Sequence, residues 1–322
     1  MRAAVVGATG EVGRMMTRVL EEQRVFPDEL DLFASAKSAG TEVAFNGRKL
    51  AVKELTKKSM KAGYDYLLFS AGATVSREFA PVAAEAGSVV IDNSSAFRMD
   101  PAVPLVVPEI NGPLLAGYRG IVANPNCSTI QMVLSLSNVH SRFGVRSIVV
   151  STYQSVSGAG KNGMNELEEQ ILGHIAPKKF VKQIHLNVVP QIGSVLGNGV
   201  TDEELKMVNE TRKIFSDPDI AVWPTTVRVP VLYGHSEAIL VETRRPSSVP
   251  EICEAVEETE NVILVDDMVT PLEAAGSDAV YVARVRAFDA TRFLLWNVAD
   301  NIRVGAATNA VRILKKHREL NA

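Results

Sequence analysis

The sequence predicts two domains, an α/β unit on a parallel sheet and then an α+β unit around a mixed, largely antiparallel sheet. Three observations carry that expectation. Through the first 125 residues, short and continuously apolar runs alternate with helical patterns. A glycine-rich turn follows the first of those runs directly. From "RSIVVSTYQS" onward the runs lengthen and helical interruptions become few. At 322 residues the chain has room for both units, since a protein of this size buries about 75% of its unfolded surface.

In the first half "AAVVGA", "LDLFAS", "YLLFSA", "SVVIDN", "PLVVPE" and "GIVANP" read as strands. They are apolar throughout rather than alternating, as in a sheet covered on both faces. The second half offers "RSIVVSTYQS", "TVRVPVLYGHSEAILVET", "VILVDD", "AVYVARVRAF" and "RFLLWNV". The C-terminal stretch places Ile302, Ala306, Ala310 and Leu314 on a helical stripe, and we expect it to pack back on the first domain. The expected boundaries are 1–126 plus 301–322 for the first domain and 127–300 for the second.

Composition narrows the function. Hydrophobic residues make up 46% and charged residues 22%, near the averages for soluble globular chains. The net charge of −3 comes from intermingled acids and bases, so no basic stripe offers itself to nucleic acid. No apolar run is long enough to span a bilayer, and the opening "MRAAVVGATGEVG" lacks the pattern of a secretory signal. Two cysteines are too few for a disulfide framework and fit a reducing compartment. The expected location is the cytoplasm.

In "VVGATGEVG", Gly7, Gly10 and Gly13 follow a strand, and Val12, Met15, Met16, Val19 and Leu20 continue as one helix face. That order lets backbone approach a pyrophosphate, whose charge a helix N-terminus favours. An acid at the end of the second strand would hold the ribose of NAD. Here "ASAKSAG" supplies Ser35, Lys37 and Ser38, which suit a 2'-phosphate, while Asp31 comes too early. NADP is the expected cofactor, although Lys37 alone reads equally well as a solvated loop residue.

"NPNCST" puts Cys127 between an Asn-Pro turn and a helix start. A thiolate there is favoured by the helix dipole and by unpaired N–H groups. Most free cysteines are instead buried and inert, and Cys253 in "PEICEAVEE" is read that way. Gln154 stands at a strand end, Arg228 and His235 flank a turn containing Gly234, and Arg98 follows a strand. Singly, each of these has a structural explanation.

At these residues the chain resembles a known family, the aspartate-semialdehyde dehydrogenases, nearly end to end. "GATGEVG", "SAKSAG", "FSAG", "DNSSAFRMD", "VPEIN", "NPNCSTIQM", "STYQSVSGAG", "DEELKMVNETRKI", "VRVPVLYGHSE" and "DNIRVGAA" stand in the family's order. The resemblance implies a Rossmann-type domain and a catalytic and dimerisation domain, assembled as a homodimer or tetramer. By it, Cys127 is the nucleophile and His235 the acid/base catalyst. Gln154, Arg228 and Glu203 bind substrate, while Arg98, Asn126 and Lys206 bind phosphate. Cofactor contacts fall on Gly7, Thr9, Gly10, Glu11, Val12, Gly13, Ser35, Lys37, Ser38, Ala71, Gly72, Ser157, Gly158 and Asn301, with no metal.

Thr201 and Glu204 have capping-box spacing, which gives Glu204 a structural task and leaves Glu203 free; by spacing alone Glu203 reads as a solvated charge pair with Lys206, and the resemblance is what implies the substrate contact. The implied reaction is NADPH-dependent reduction of aspartyl β-phosphate to aspartate β-semialdehyde and phosphate through a thioester on Cys127, on the route to lysine, methionine and threonine. A histidine with the ordinary pKa of ~6.5 would exchange the thiol proton near neutral pH. The competing readings are an enzyme like N-acetyl-γ-glutamyl-phosphate reductase and a non-catalytic dinucleotide-binding homologue.

Overall fold

The chain forms two units, residues 1–126 with 306–322, and residues 127–305. The computed structural model describes residues 1–174 and 176–322. The first unit holds a seven-stranded sheet of β1 (Arg2–Val6), β2 (Glu29–Ala34), β3 (Glu42–Phe45), β4 (Arg48–Glu54), β5 (Tyr66–Phe69), β6 (Val89–Asp92) and β7 (Ile121–Ala123). Its order is β3-β4-β2-β1-β5-β6-β7, parallel except for the β3–β4 pair. The helices α1 (Glu11–Glu22), α2 (Lys57–Met60), α3 (Ala73–Glu85) and α4 (Pro108–Asn111) belong to this unit. Helix α1 buries Met16, Val19 and Leu20, and Val5, Leu68 and Ile91 of the central strands join the same core.

Two stretches differ from the sequence expectation. "PLVVPE" is not a strand, because only a single bridge from Leu105 to Ala123 forms before Pro108 opens α4. Pro104 and Pro108 lack the N–H groups that a ladder needs. The β3–β4 hairpin is unanticipated, although Asn46 and Gly47 both take positive φ, the two-residue turn that suits a twisted hairpin.

The second unit holds a six-stranded sheet of β8 (Val145–Gln154), β9 (Ala221–Arg228), β10 (His235–Thr243), β11 (Val262–Val265), β12 (Val280–Ala287) and β13 (Arg292–Ala299). The order is β11-β12-β13-β10-β8-β9, with the two outer pairs parallel and the three inner pairs antiparallel. The unit's helices are α5 (Cys127–Phe143), α6 (Lys161–Ile171), α7 (Asp202–Phe215), α8 (Val249–Glu257) and α9 (Pro271–Ala274). Helices α5, α7 and α8 pack on the sheet, and side chains of β10 alternate beneath them, with His235, Glu237, Ile239 and Val241 buried.

The last helix, α10 (Asn309–Leu320), belongs to the first unit, where Ala307, Ala310, Val311, Ile313 and Leu314 enter the core. The return to that unit comes at residue 306 rather than 301. Residues 300–303 are tied into the second unit: Asp300 accepts from the Gly276 amide, Arg303 pairs with Asp278, and Asn301 accepts from Gly234.

Candidate active site

In the second unit, three strand ends meet at one edge of the sheet. Gln154 ends β8, Arg228 ends β9 and His235 begins β10. Both β9 and β10 pair with β8, so Arg228 lies directly across from Gln154 and His235 flanks the same strand end. The link 229–234 must therefore cross past the end of β8. It does so by accepting Val156 N–H at Val231 O and Ser157 N–H at Leu232 O. The crossing finishes at Gly234 (φ 88°), where a β-carbon would come 2.9 Å from Pro271.

All three side chains are buried. Arg228 Nη1 donates to Ser155 O at 2.6 Å, and Gln154 Nε2 donates to Thr152 Oγ1 at 3.3 Å. Burial pulls the Arg228 guanidinium below its ordinary pKa, while negative charge on Cys127 and Glu203 acts the other way. Cys127 is the first residue of α5 and is partly exposed. Gly305 packs against it so closely that a β-carbon at 305 would lie 2.5 Å from Cys127 Cβ.

The imidazole is held by its neighbours. The Ser155 amide donates to His235 Nδ1 at 3.1 Å, with Ser155 Oγ at the same distance. An amide N–H can only donate, so Nδ1 carries the lone pair and the proton of the neutral ring sits on Nε2. Among the described residues, buried Nε2 has no hydrogen-bond partner. It faces Gly158, where a β-carbon would come 3.1 Å from it and 2.9 Å from Arg228 Nη1. Burial, then the Arg228 charge, lowers the His235 pKa far below its ordinary value, unlike the unperturbed histidine that the sequence suggested. Asn301 fixes the scaffold, accepting from Ser155 Oγ, Ser157 Oγ and Gly234 N and donating to Ser157 Oγ.

Helix α7 carries the acids read from the sequence. Glu204 accepts from Thr201 N at 2.8 Å, Thr201 Oγ1 accepts from Glu204 N, and the other Glu204 oxygen accepts from Thr226 N on β9. Glu203 is buried and bound to Lys206 at 3.1 Å. Burial disfavours the Lys206 charge, yet Glu203 and Asp202 outweigh it and raise the ammonium's pKa.

In the first unit, Gly7 (φ 84°) ends the first strand, and a β-carbon there would meet Ser70 O at 2.4 Å. A β-carbon at Gly13 would come 2.1 Å from Gly7 O, so helix and turn pack as only glycines permit. This bare backbone leads into the N-terminus of α1, with Thr9, Gly10, Glu11 and Val12 along it. It fits a dinucleotide's pyrophosphate. Gly72 (φ 83°), after Ala71, opens α3 with free space around it. Ser35 and Lys37 are exposed and Ser38 half-buried, whereas Asp31 is held by Lys53 and Tyr64. Burial raises the Asp31 pKa, but those bonds prevail and keep the carboxyl below its ordinary range. Arg98, buried, donates to Asn124 O and Asn93 O at 2.9 Å each, and Asn126 is buried nearby in the chain.

Sequence reasoning missed Gly305 and Ser155. Gly305 lies in a π-helical turn (Arg303–Thr308), a form often found at functional sites, but a lone glycine has no local signature of it. Burial, then the charges of Glu257 and Asp266, raise the thiol pKa of Cys253.

The chain is similar to known proteins over nearly its whole length. Residues 2–118 match the pattern for "Semialdehyde dehydrogenase, NAD binding domain" and residues 136–304 that for "Semialdehyde dehydrogenase, dimerisation domain". The chain is 48% identical to aspartate-semialdehyde dehydrogenase of Aquifex aeolicus, covering 97% of this chain and 96% of that one. It is 44% identical to the Bacillus subtilis enzyme, covering 100% and 98%. A crystal structure of aspartate semialdehyde dehydrogenase II from Vibrio cholerae, complexed with ASA, superposes with a TM-score of 0.96 at 46% identity over 99% of this chain and 98% of that one. With the glycine turn in one unit and the cysteine, imidazole, amide and guanidinium in the other, this chain belongs to the aspartate-semialdehyde dehydrogenase family.

Proposed function

We propose that the chain reduces aspartyl β-phosphate to aspartate β-semialdehyde with NADPH, releasing phosphate, and that Cys127 carries the acyl group between the two half-reactions. The observation that carries this is Cys127 at the N-terminus of α5, given room by Gly305, in the unit that gathers Gln154, Arg228 and His235 at one sheet edge. The thiolate attacks the acyl carbon, the carbon–oxygen bond to phosphate breaks, and a thioester remains on sulfur. When bound, the dinucleotide supplies hydride to that thioester. Collapse of the resulting oxyanion releases aldehyde and restores the thiolate.

The Nε2–H of His235 suits a hydrogen bond to the oxygen on which charge develops. Proton exchange through this ring, the acid/base role, requires it to give up the bond from the Ser155 amide. Arg228 suits the substrate carboxylate through paired hydrogen bonds, Gln154 orients the acyl group, and Glu203 holds the substrate amine. Arg98, Asn126 and Lys206 receive phosphate. The glycine turn from Gly7 to Gly13, with Ala71 and Gly72, holds the dinucleotide; Ser157, Gly158 and Asn301 add contacts. Ser35, Lys37 and Ser38 favour the 2'-phosphate of NADP.

A homodimer is supported by the sheet face opposite α5, where Val149, Tyr153 and Trp223 are exposed. Among the described residues no helix is long and apolar enough to cross a membrane.

The test is direct. Purified protein is mixed with aspartate semialdehyde, phosphate and NADP while nicotinamide absorbance is followed. A steady signal requiring all three is expected. N-acetylglutamate semialdehyde, which lacks a free amine, should not replace the substrate, and equal turnover of it would overturn the assignment.

A further inference from the structure

Beneath the reacting groups lies a buried polar cluster that the chemistry just described does not use. On α5, Cys127, Gln131 and Ser135 recur every four residues and share one face. On β10, His235 and Glu237 are two residues apart and share the face beneath the helix. Asn297 on β13 and Thr152 on β8 lie directly across from Glu237 on either side. All of these except Cys127 are buried. Gln131 Nε2 donates to His235 O at 3.2 Å and to Asn297 Oδ1 at 2.9 Å. Asn297 Nδ2 donates to Ser135 Oγ at 3.0 Å and to Glu237 Oε2 at 3.0 Å, with Gln131 O at 3.3 Å. Glu237 and Gln131 thus join the helix that carries Cys127 to the strand that carries His235.

The hydrogen bonds of this cluster do not balance if Glu237 is a carboxylate. Among the described residues, Glu237 Oε1 and Gln131 Oε1 are both buried acceptors without a partner. Two orphaned acceptors in one core cluster are costly, and a proton on the carboxyl supplies the missing donor. We infer that Glu237 is a positioning residue of the active site, a carboxylic acid that keeps its proton in the folded chain and, with Asn297 and Gln131, sets the Cys127 helix against the His235 strand.

The electrostatics point the same way. Burial pushes the Glu237 pKa up to about 8, and the Asn297 and Gln131 amides offset this only in part. The groups facing it are Gln131 and Ser135 from α5, Asn297 from β13 and Thr152 from β8, none of which titrates. Its titratable neighbours are His235, two residues along its own strand, and Cys127, one helical turn before Gln131. Losing the proton therefore leaves an uncompensated charge inside the cluster, which shifts Gln131 and with it the first turn of α5.

The inference rests on Cys127 and His235 being the reacting pair, and its test keeps the two readings apart. Glutamate carboxyls of the wild-type protein are labelled with carbon-13 and titrated by NMR, a measurement independent of turnover. One carboxyl resonance titrating near pH 8, and missing from the spectrum of Glu237→Gln, is expected; its absence overturns the inference even if the enzyme is active. Glu237→Gln keeps a donor and cannot ionise, so it should remain active at neutral pH and lose the alkaline decline in kcat. Glu237→Leu should lower kcat about tenfold or more with little change in KM. Wild-type activity and an unchanged pH profile in both variants would overturn the positioning role while leaving the dehydrogenase reading intact.

Discussion

Gly305 sits against Cys127 with no room for a side chain, since even a β-carbon would come 2.5 Å from Cys127 Cβ and 2.9 Å from its Cα. Because the clash is with backbone as well as side chain, the alanine variant cannot relieve it by rotating a terminal group. Overpacking of this kind costs about 1–3 kcal/mol. Gly305→Ala should therefore move the cysteine and lower kcat roughly 10-fold or more, read by steady-state assay alongside the rate of thiol alkylation. Unchanged values for both would show that the first turn of α5 tolerates the shift.

Adjacent acids on α7 should behave oppositely. Glu204 closes the capping box with Thr201 and receives the Thr226 amide, so Glu204→Ala should reduce stability by about 0.5–2 kcal/mol in denaturant unfolding, with KM little changed. Glu203→Gln should raise KM for the semialdehyde and leave the unfolding midpoint nearly unmoved.

Arg228→Lys preserves charge and removes the fork. The guanidinium already gives Nη1 to Ser155 O, so only a planar group can hold that carbonyl and a carboxylate together. Losing one charge-assisted hydrogen bond costs about 1.5–3 kcal/mol, so kcat/KM should fall about 10- to 100-fold. A fall below threefold would count against carboxylate recognition at this position.

The depressed His235 pKa also has a sign in stability. Unfolded, the imidazole takes a proton near its ordinary value of ~6.5; folded, burial and Arg228 resist that charge. The contribution of a neutral ring is thus complete above ~6.5 and is lost as pH falls through the folded-state value. Thermal unfolding of the wild type from pH 7 to pH 5 should show Tm declining more steeply than in His235→Asn, which has no such titration. Parallel slopes would contradict a desolvated imidazole.

The sequence by itself determined the local features. The order of strand, glycine turn and helix over residues 2–22, the cysteine at a helix start and the capping box of Thr201 and Glu204 all depend on spacings of a few residues, and the structure has the same elements. The β3–β4 hairpin is equally local, since Asn46 and Gly47 at positive φ join two strands that pair directly. Only the tertiary structure decided that Gln154, Arg228 and His235 are neighbours, because β9 and β10 both pair with β8 instead of with each other. It also decided that Gly305 rests on Cys127 and that a carboxyl at 237 lies in the core. Register across a sheet and the seating of a helix upon it are set by contacts between segments far apart in the chain, which no short window of residues contains.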